Sequence, residues 1–158
     1  MLRDLCNWIV TTPVSIYLQN LKNMVPVVQT LHLVAIAAVF SSAAMIDLRV
    51  LRLISKDRPL QSIFSRFEPG IWMGLVGLLL TGLLLIIAEP ARSLLALQFQ
   101  VKMVLVLCGV AVTLVLRRAM KDRPDRDGSS PVSAQILAGT SLVIWMCIIF
   151  AGRWIAYA

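Results

Sequence analysis

His32 is the single histidine of the chain. It falls about seven residues, or roughly 10 Å, inside an uninterrupted apolar run. A neutral imidazole at that depth can act as an axial ligand for the iron of a haem b, held in a slot between membrane helices. It can also hydrogen-bond a facing Ser, Thr or backbone carbonyl and so hold two helices together. In both cases it needs a partner, because a polar group in hydrocarbon is costly and ionisable residues inside a bilayer tend to mark function. His32 is also the one metal-ligand candidate.

Lys102 enters a later apolar run from the same side and reaches a comparable depth. Its ammonium can pair with a haem propionate or bind an anionic or quinone headgroup, and in its neutral form it can supply a second ligand. The simpler reading is that its long stem snorkels to the nearby interface. Met146 and Cys147 lie at a similar distance from that face in the last apolar run. Met146 can complete a cofactor site through its thioether, or fill space as methionines in apolar cores commonly do. Asp47, Arg49 and Arg52 stand at the opposite end of the first run. They form either a gate or docking point for an acidic partner or, the favoured reading, an ion pair capping a bundle.

No phosphate loop, nucleophile elbow, paired-carboxylate site or histidine cluster occurs in the sequence. The apolar runs hold almost no charge, which gives an ion or proton pathway little to work with.

The elements that must position these residues are membrane spans. Apolar residues make up 59% of the 158, whereas soluble domains sit nearer one half with about a quarter charged. A chain this short buries only about two-thirds of its unfolded surface even when folded ideally, so the excess must face lipid. Four runs of about 18–22 residues, 25–46, 71–88, 99–116 and 132–152, suit a hydrocarbon core of about 30 Å. The fold expected is an all-α integral membrane four-helix bundle in a single domain, 1–158, with a 1–23 interfacial segment.

In that segment Leu2, Leu5, Trp8, Ile9, Ile16 and Leu18 alternate with polar positions, the pattern of short amphipathic helices in the headgroup zone. Thr12-Pro13 divides them, with Thr12 as a cap and Pro13 in the first turn. No apolar core ending in a small-residue cleavage site is visible there, so a cleaved signal peptide is not expected. Asn23 and Pro26 mark the start of the first span. A turn at Asp57-Arg58-Pro59 and a short amphipathic helix with Ile63, Phe64 and Phe67 are expected before the second span. The stretch 127–131 reads as a hydrophilic linker, and Arg153-Trp154 with Tyr157 as an interfacial anchor.

The link after the first span and the link after the third carry five lysines and arginines each, against one, Arg92, in the link between the second and third. Positive-inside bias puts both basic links in the cytoplasm and both termini in the periplasm of a bacterial inner membrane. That topology accounts for the net charge of +7, and no nucleic-acid partner is expected. The partners expected are the lipid bilayer and a membrane protein or a second copy of the chain. Cys6, Cys108 and Cys147 are too scattered for a disulfide framework or zinc knuckle and read as buried small hydrophobes. Ala37, Ala38, Ser41, Ser42 and Ala44 in the first span, with Gly70, Gly74, Gly77 and Gly82 in the second, let the backbones approach closely, or Gly74 and Gly77 open space for a planar cofactor. The repeated order of span, basic link and span reads as a pair of hairpins.

The stretch from His32 through an apolar helix to Asp47-Leu-Arg49 resembles the first helix of a group of small bacterial inner-membrane proteins of unknown function. Phe67-Glu-Pro-Gly-Ile71, Leu80-Thr-Gly82 and Phe99-Gln-Val-Lys102 continue the likeness, which covers about Pro26 to Arg118. More distantly the arrangement is similar to HemJ-type protoporphyrinogen oxidases and to the membrane domain of copper-resistance protein D. That resemblance implies haem b at His32 and a characteristic lysine role for Lys102, although HemJ proteins carry further histidines and this chain carries none. Three functions compete at this point. The first is a haem b- or quinone-associated redox and electron-transfer protein, the second a non-catalytic scaffold or assembly subunit, and the third, with least behind it, small-solute or metal handling.

Overall fold

The computed structural model describes residues 2–54, 59–90, 94, 97–121 and 130–154. Two short helices, α1 (Leu2–Val10) and α2 (Pro13–Asn20), precede four long ones: α3 (Met24–Val50), α4 (Leu60–Ala88), α5 (Leu97–Lys121) and α6 (Val132–Trp154). No strand occurs among the described residues. Each long helix contains an apolar stretch of at least 21 residues, inside which an 18-residue window has mean hydropathy between 1.9 and 2.5. At about 1.5 Å per residue each stretch is long enough for a bilayer core. The chain is a multi-pass membrane protein.

Local chemistry sets the boundaries. Thr12 has extended backbone and its hydroxyl accepts from the Ser15 N–H, with Pro13 at the first helical position. Asn23 adopts φ 69 just before α3, a left-handed conformation that asparagine tolerates well. At the far end of α3, Arg52 takes φ 62 while the Leu53 N–H reaches the Leu48 carbonyl and the Arg52 N–H the Arg49 carbonyl. This is a Schellman stop made without glycine.

The structure departs from the sequence reading in three places. The amphipathic stretch with Ile63, Phe64 and Phe67 is continuous with the second span, and α4 runs through Pro69 without breaking. The residue four positions earlier, whose carbonyl Pro69 cannot serve, is Ser65, exposed near the start of the helix where solvent or headgroups can take the bond. Cys108 and Cys147 are exposed on their helices, so they face acyl chains, and only Cys6 is buried. Asp47 forms no ion pair with any described residue; it is 2% exposed, inside the bundle. The Asp57-Arg58-Pro59 turn, the 127–131 linker and the Arg153, Trp154 and Tyr157 anchor fall wholly or partly outside what is described.

The long helices pair as two antiparallel hairpins, α3 with α4 and α5 with α6, joined mainly where α3 meets α6. The α3–α4 seam runs in one register: Ser42 opposite Gly70, Val39 opposite Gly74 and Ala35 opposite Gly77. Gly74 lets the backbones touch, since a β-carbon there would lie 3.2 Å from the Val39 nitrogen and 3.3 Å from the Ala35 oxygen. By contrast, α5 comes close along its backbone mainly to α6.

The apolar core, built on Val39, Ala43, Ile46, Val50, Ile63, Ile71, Leu116, Ala138 and Trp145, occupies the half of the bundle nearer the basic links. At the opposite end α1 and α2 fold back on α4, where Ser15 donates to the Ile87 carbonyl at 2.7 Å and the Cys6 thiol points at the Pro90 carbonyl at 3.7 Å. Between that cap and the core lies a layer in which no described residue of α3 from 29 to 38, of α4 from 75 to 87, or of α5 from 97 to 108 is fully buried.

Candidate functional site

That layer contains the polar residues read from the sequence. Continuing the α3–α4 register by one more turn brings His32 opposite Thr81, and their side chains meet, Nδ1 to Oγ1 at 2.7 Å. The Thr81 hydroxyl donates to the Gly77 carbonyl at 2.6 Å, as a helical threonine commonly does one turn back. With its hydrogen committed there, Oγ1 accepts from His32 Nδ1–H. The network therefore assigns the neutral imidazole with its proton on Nδ1 and its lone pair on Nε2.

The Nε2 atom faces Lys102 of α5, whose ammonium donates to it at 3.5 Å. The lysine stem lies over Gly152 of α6; a β-carbon at that glycine would stand 3.6 Å from Nζ and 3.6 Å from Cε. Gly82 of α4 sits against the imidazole edge, its β-carbon position 3.7 Å from His32 Cε1. Four helices thus converge on one hydrogen-bonded chain, Lys102 to His32 to Thr81 to the Gly77 carbonyl.

Two of the residues expected at the site, His32 and Lys102, are brought together. Met146 is not with them: it is 44% exposed on the outer face of α6, six residues, or about 9 Å along the axis, from Gly152. Among the described residues no group of three His, Cys, Asp or Glu side chains is placed to hold a metal ion.

The sequence reading left out Thr81 and Gly152. Thr81 is the only hydroxyl-bearing residue between Ile71 and Ala88, which would have marked it as the partner His32 requires. Gly152 carries no such signal, because a glycine under a lysine stem looks like any other small residue in a span.

A haem b ligated by His32 needs Nε2 free and a slot one macrocycle wide beside it. Here the Lys102 ammonium occupies the direction of the Nε2 lone pair, and α4 closes against the ring at Gly82. As arranged, the residues suit a small headgroup better than a porphyrin. They offer a cationic donor and a neutral acceptor side by side, on a pair of half-buried side chains at a lipid-facing layer.

Fold and site together define a four-span membrane protein with one intramembrane polar cluster near the end where α3 begins. Residues 14–158 match a family of unknown function, DUF6644, and the chain belongs to that family. No curated protein and no solved structure matches it, so the likeness to HemJ-type oxidases and copper-resistance protein D has no support from these comparisons.

Proposed function

We propose that this protein is a quinone-associated redox component of a bacterial inner membrane, with His32 and Lys102 receiving the quinone headgroup. The observation that carries the reading is the 3.5 Å pairing of a lysine donor with an imidazole acceptor in the layer where no described residue of α3, α4 or α5 is fully buried. A quinone carbonyl accepts from the Lys102 ammonium. A quinol hydroxyl donates to His32 Nε2, which Thr81 keeps unprotonated by holding the proton on Nδ1. The apolar tail lies between α5 and the α3–α4 hairpin, where the backbones stay apart. Electrons come from a partner membrane protein, and this chain positions the headgroup and its protons. The basic links are cytoplasmic in this reading and the site opens toward the periplasmic leaflet.

The test is the protein in lipid nanodiscs, purified from cells well supplied with haem and titrated with a short-chain quinone, alongside an absorbance spectrum. Saturable binding that weakens at least tenfold in both His32→Ala and Lys102→Met supports the reading, a loss of about 1.4 kcal/mol or more. A Soret band that disappears with His32 would put haem b at the site in place of quinone. Neither signal would end the redox reading.

A second reading, a non-catalytic membrane subunit, is favoured by the way the polar chain closes on itself: Lys102 to His32 and His32 to Thr81 each join two helices, and Thr81 ends the chain on the Gly77 carbonyl of its own helix. It predicts that His32→Ala alters oligomeric state or partners and leaves quinone binding and the spectrum unchanged.

A further inference from the structure

The core nearer the basic links contains polar atoms that the outer site does not use. Asp47 of α3 is 2% exposed and Ser141 of α6 is 1% exposed, and they lie beside one another across the α3–α6 contact. Asp47 Oδ2 and Ser141 Oγ nevertheless have no hydrogen-bond partner of good geometry. Trp145, one turn along from Ser141 on the same face of α6, is 3% exposed and its Nε1 is also without a partner. Three such atoms on two facing helices form a concentration, since buried polar groups are nearly always bonded.

Beyond the Ser141 hydroxyl, no cation among the described residues faces an ionised carboxylate in this position to offset its lost hydration. Arg49, two residues on and so about 200° around the helix, faces another side of α3. On α4, Arg66 is exposed and Glu68 is paired with Arg117 of α5 at 2.7 Å. Arg118 of α5 is exposed, α6 has no Asp, Glu, Lys or Arg between Val132 and Gly152, and α2 has none at all.

We infer that Asp47 and Ser141 form a proton-binding site between α3 and α6, in which Asp47 carries the proton as a neutral carboxylic acid with Ser141 as its hydroxyl neighbour. The acid's carbonyl oxygen accepts from the Ser141 hydroxyl, and its own O–H adds a second donor to the pair. No bond other than O–H forms or breaks, and the proton comes from water at the basic end. Releasing it places an uncompensated charge in the core, so release requires water or a cation to enter between α3 and α6. The contact between the two hairpins therefore loosens as Asp47 ionises.

Infrared difference spectroscopy of the full chain in nanodiscs tests this. At neutral pH a carboxylic-acid carbonyl band is expected, shifted by labelling with ¹³C-aspartate, lost in Asp47→Asn and moved in frequency by Ser141→Ala. Should Asp47→Asn fail to fold, the isotope shift in the unsubstituted protein and the Ser141→Ala displacement carry the test without it. Trp145 emission is expected to change with the same pH midpoint as the band. Absence of an aspartic-acid band at neutral pH would overturn the inference, and so would bleaching of the band by sodium at constant pH, which would make this a cation site.

Discussion

At the scale of single residues, Thr81 is the position where a small change separates the two roles open to the outer cluster. It accepts from His32 and so keeps the Nε2 lone pair directed at Lys102. Thr81→Val preserves shape and removes that acceptor. Interhelical hydrogen bonds inside membranes are worth about 0.6 kcal/mol on average and up to about 1.7, so stability is expected to fall by that modest amount. Quinone binding is expected to fall further, by about tenfold, because the imidazole is then free to reorient. Thr81→Ser is expected to restore both. Titrations of the two variants against the same short-chain quinone read this directly, and equal small losses in stability and binding would reduce Thr81 to helix glue. His32 and Lys102 were legible from the sequence because their polarity stands out against an apolar run. Their juxtaposition was not, since it depends on which way α5 turns its face, and the uniform hydrophobicity of that helix leaves its rotation unmarked.

At the scale of elements, the α3–α4 hairpin is held by shape, and two glycines give a matched comparison. A β-carbon at Gly74 meets backbone at 3.2 and 3.3 Å and the Val39 Cγ2 at 2.5 Å, while one at Gly139 meets nothing within 4 Å. Gly74→Ala must part the helices and is expected to cost about 1–3 kcal/mol. Gly139→Ala, in open space, is expected to be neutral or to stabilise by up to about 1 kcal/mol through helix propensity alone. Reversible unfolding in mixed micelles measures both, and similar values for the two would show that close packing does not set the hairpin. The end of α3 offers a gain: Arg52 sits at φ 62, where a side chain costs about 1–2 kcal/mol relative to glycine, so Arg52→Gly is expected to stabilise by about 1 kcal/mol. The small residues of the first two spans were readable as a packing signal. The ones that meet are Ala35, Val39 and Ser42, however, and Ala37 and Ser41 are exposed. Alanines and serines on every face of α3 hide the phase of the contact, and only the partner glycines fix it. The continuity of α4 through Pro69 was missed for a related reason. A proline is read as a stop, yet near a helix start the freed carbonyl can be served from outside.

At the scale of the whole molecule, the arrangement of the two hairpins bears on orientation independently of charge statistics. The Glu68–Arg117 pair at 2.7 Å ties the beginning of α4 to the end of α5, so the link before α4 and the link after α5 must emerge at the same end of the bundle. Those are the two links with five basic residues each. The charge rule then has only to choose which membrane face receives both, and ten positive charges favour the cytoplasmic one. In a background with Cys6, Cys108 and Cys147 replaced by serine, Asn20→Cys and Ser62→Cys place single thiols at exposed positions at opposite ends. An impermeant maleimide is expected to label Asn20→Cys in intact spheroplasts and Ser62→Cys only after the membrane is opened. Labelling of both from one side would contradict the four-span bundle itself. The reversed pattern would leave the bundle intact and turn the His32–Lys102 layer toward the cytoplasm. Because the pair joins the hairpins at a partly exposed position, its side chains 45% and 23% accessible, a double-mutant cycle through Glu68→Gln and Arg117→Gln is expected to give a coupling of no more than about 1 kcal/mol, shrinking with added salt. The hairpins are thus held mainly by the α3–α6 contact around Asp47, Ser141 and Trp145. Ser141→Leu, which overfills that contact, is expected to separate them where loss of the ion pair does not, read as a fall in crosslinking between single cysteines introduced on α3 and α6.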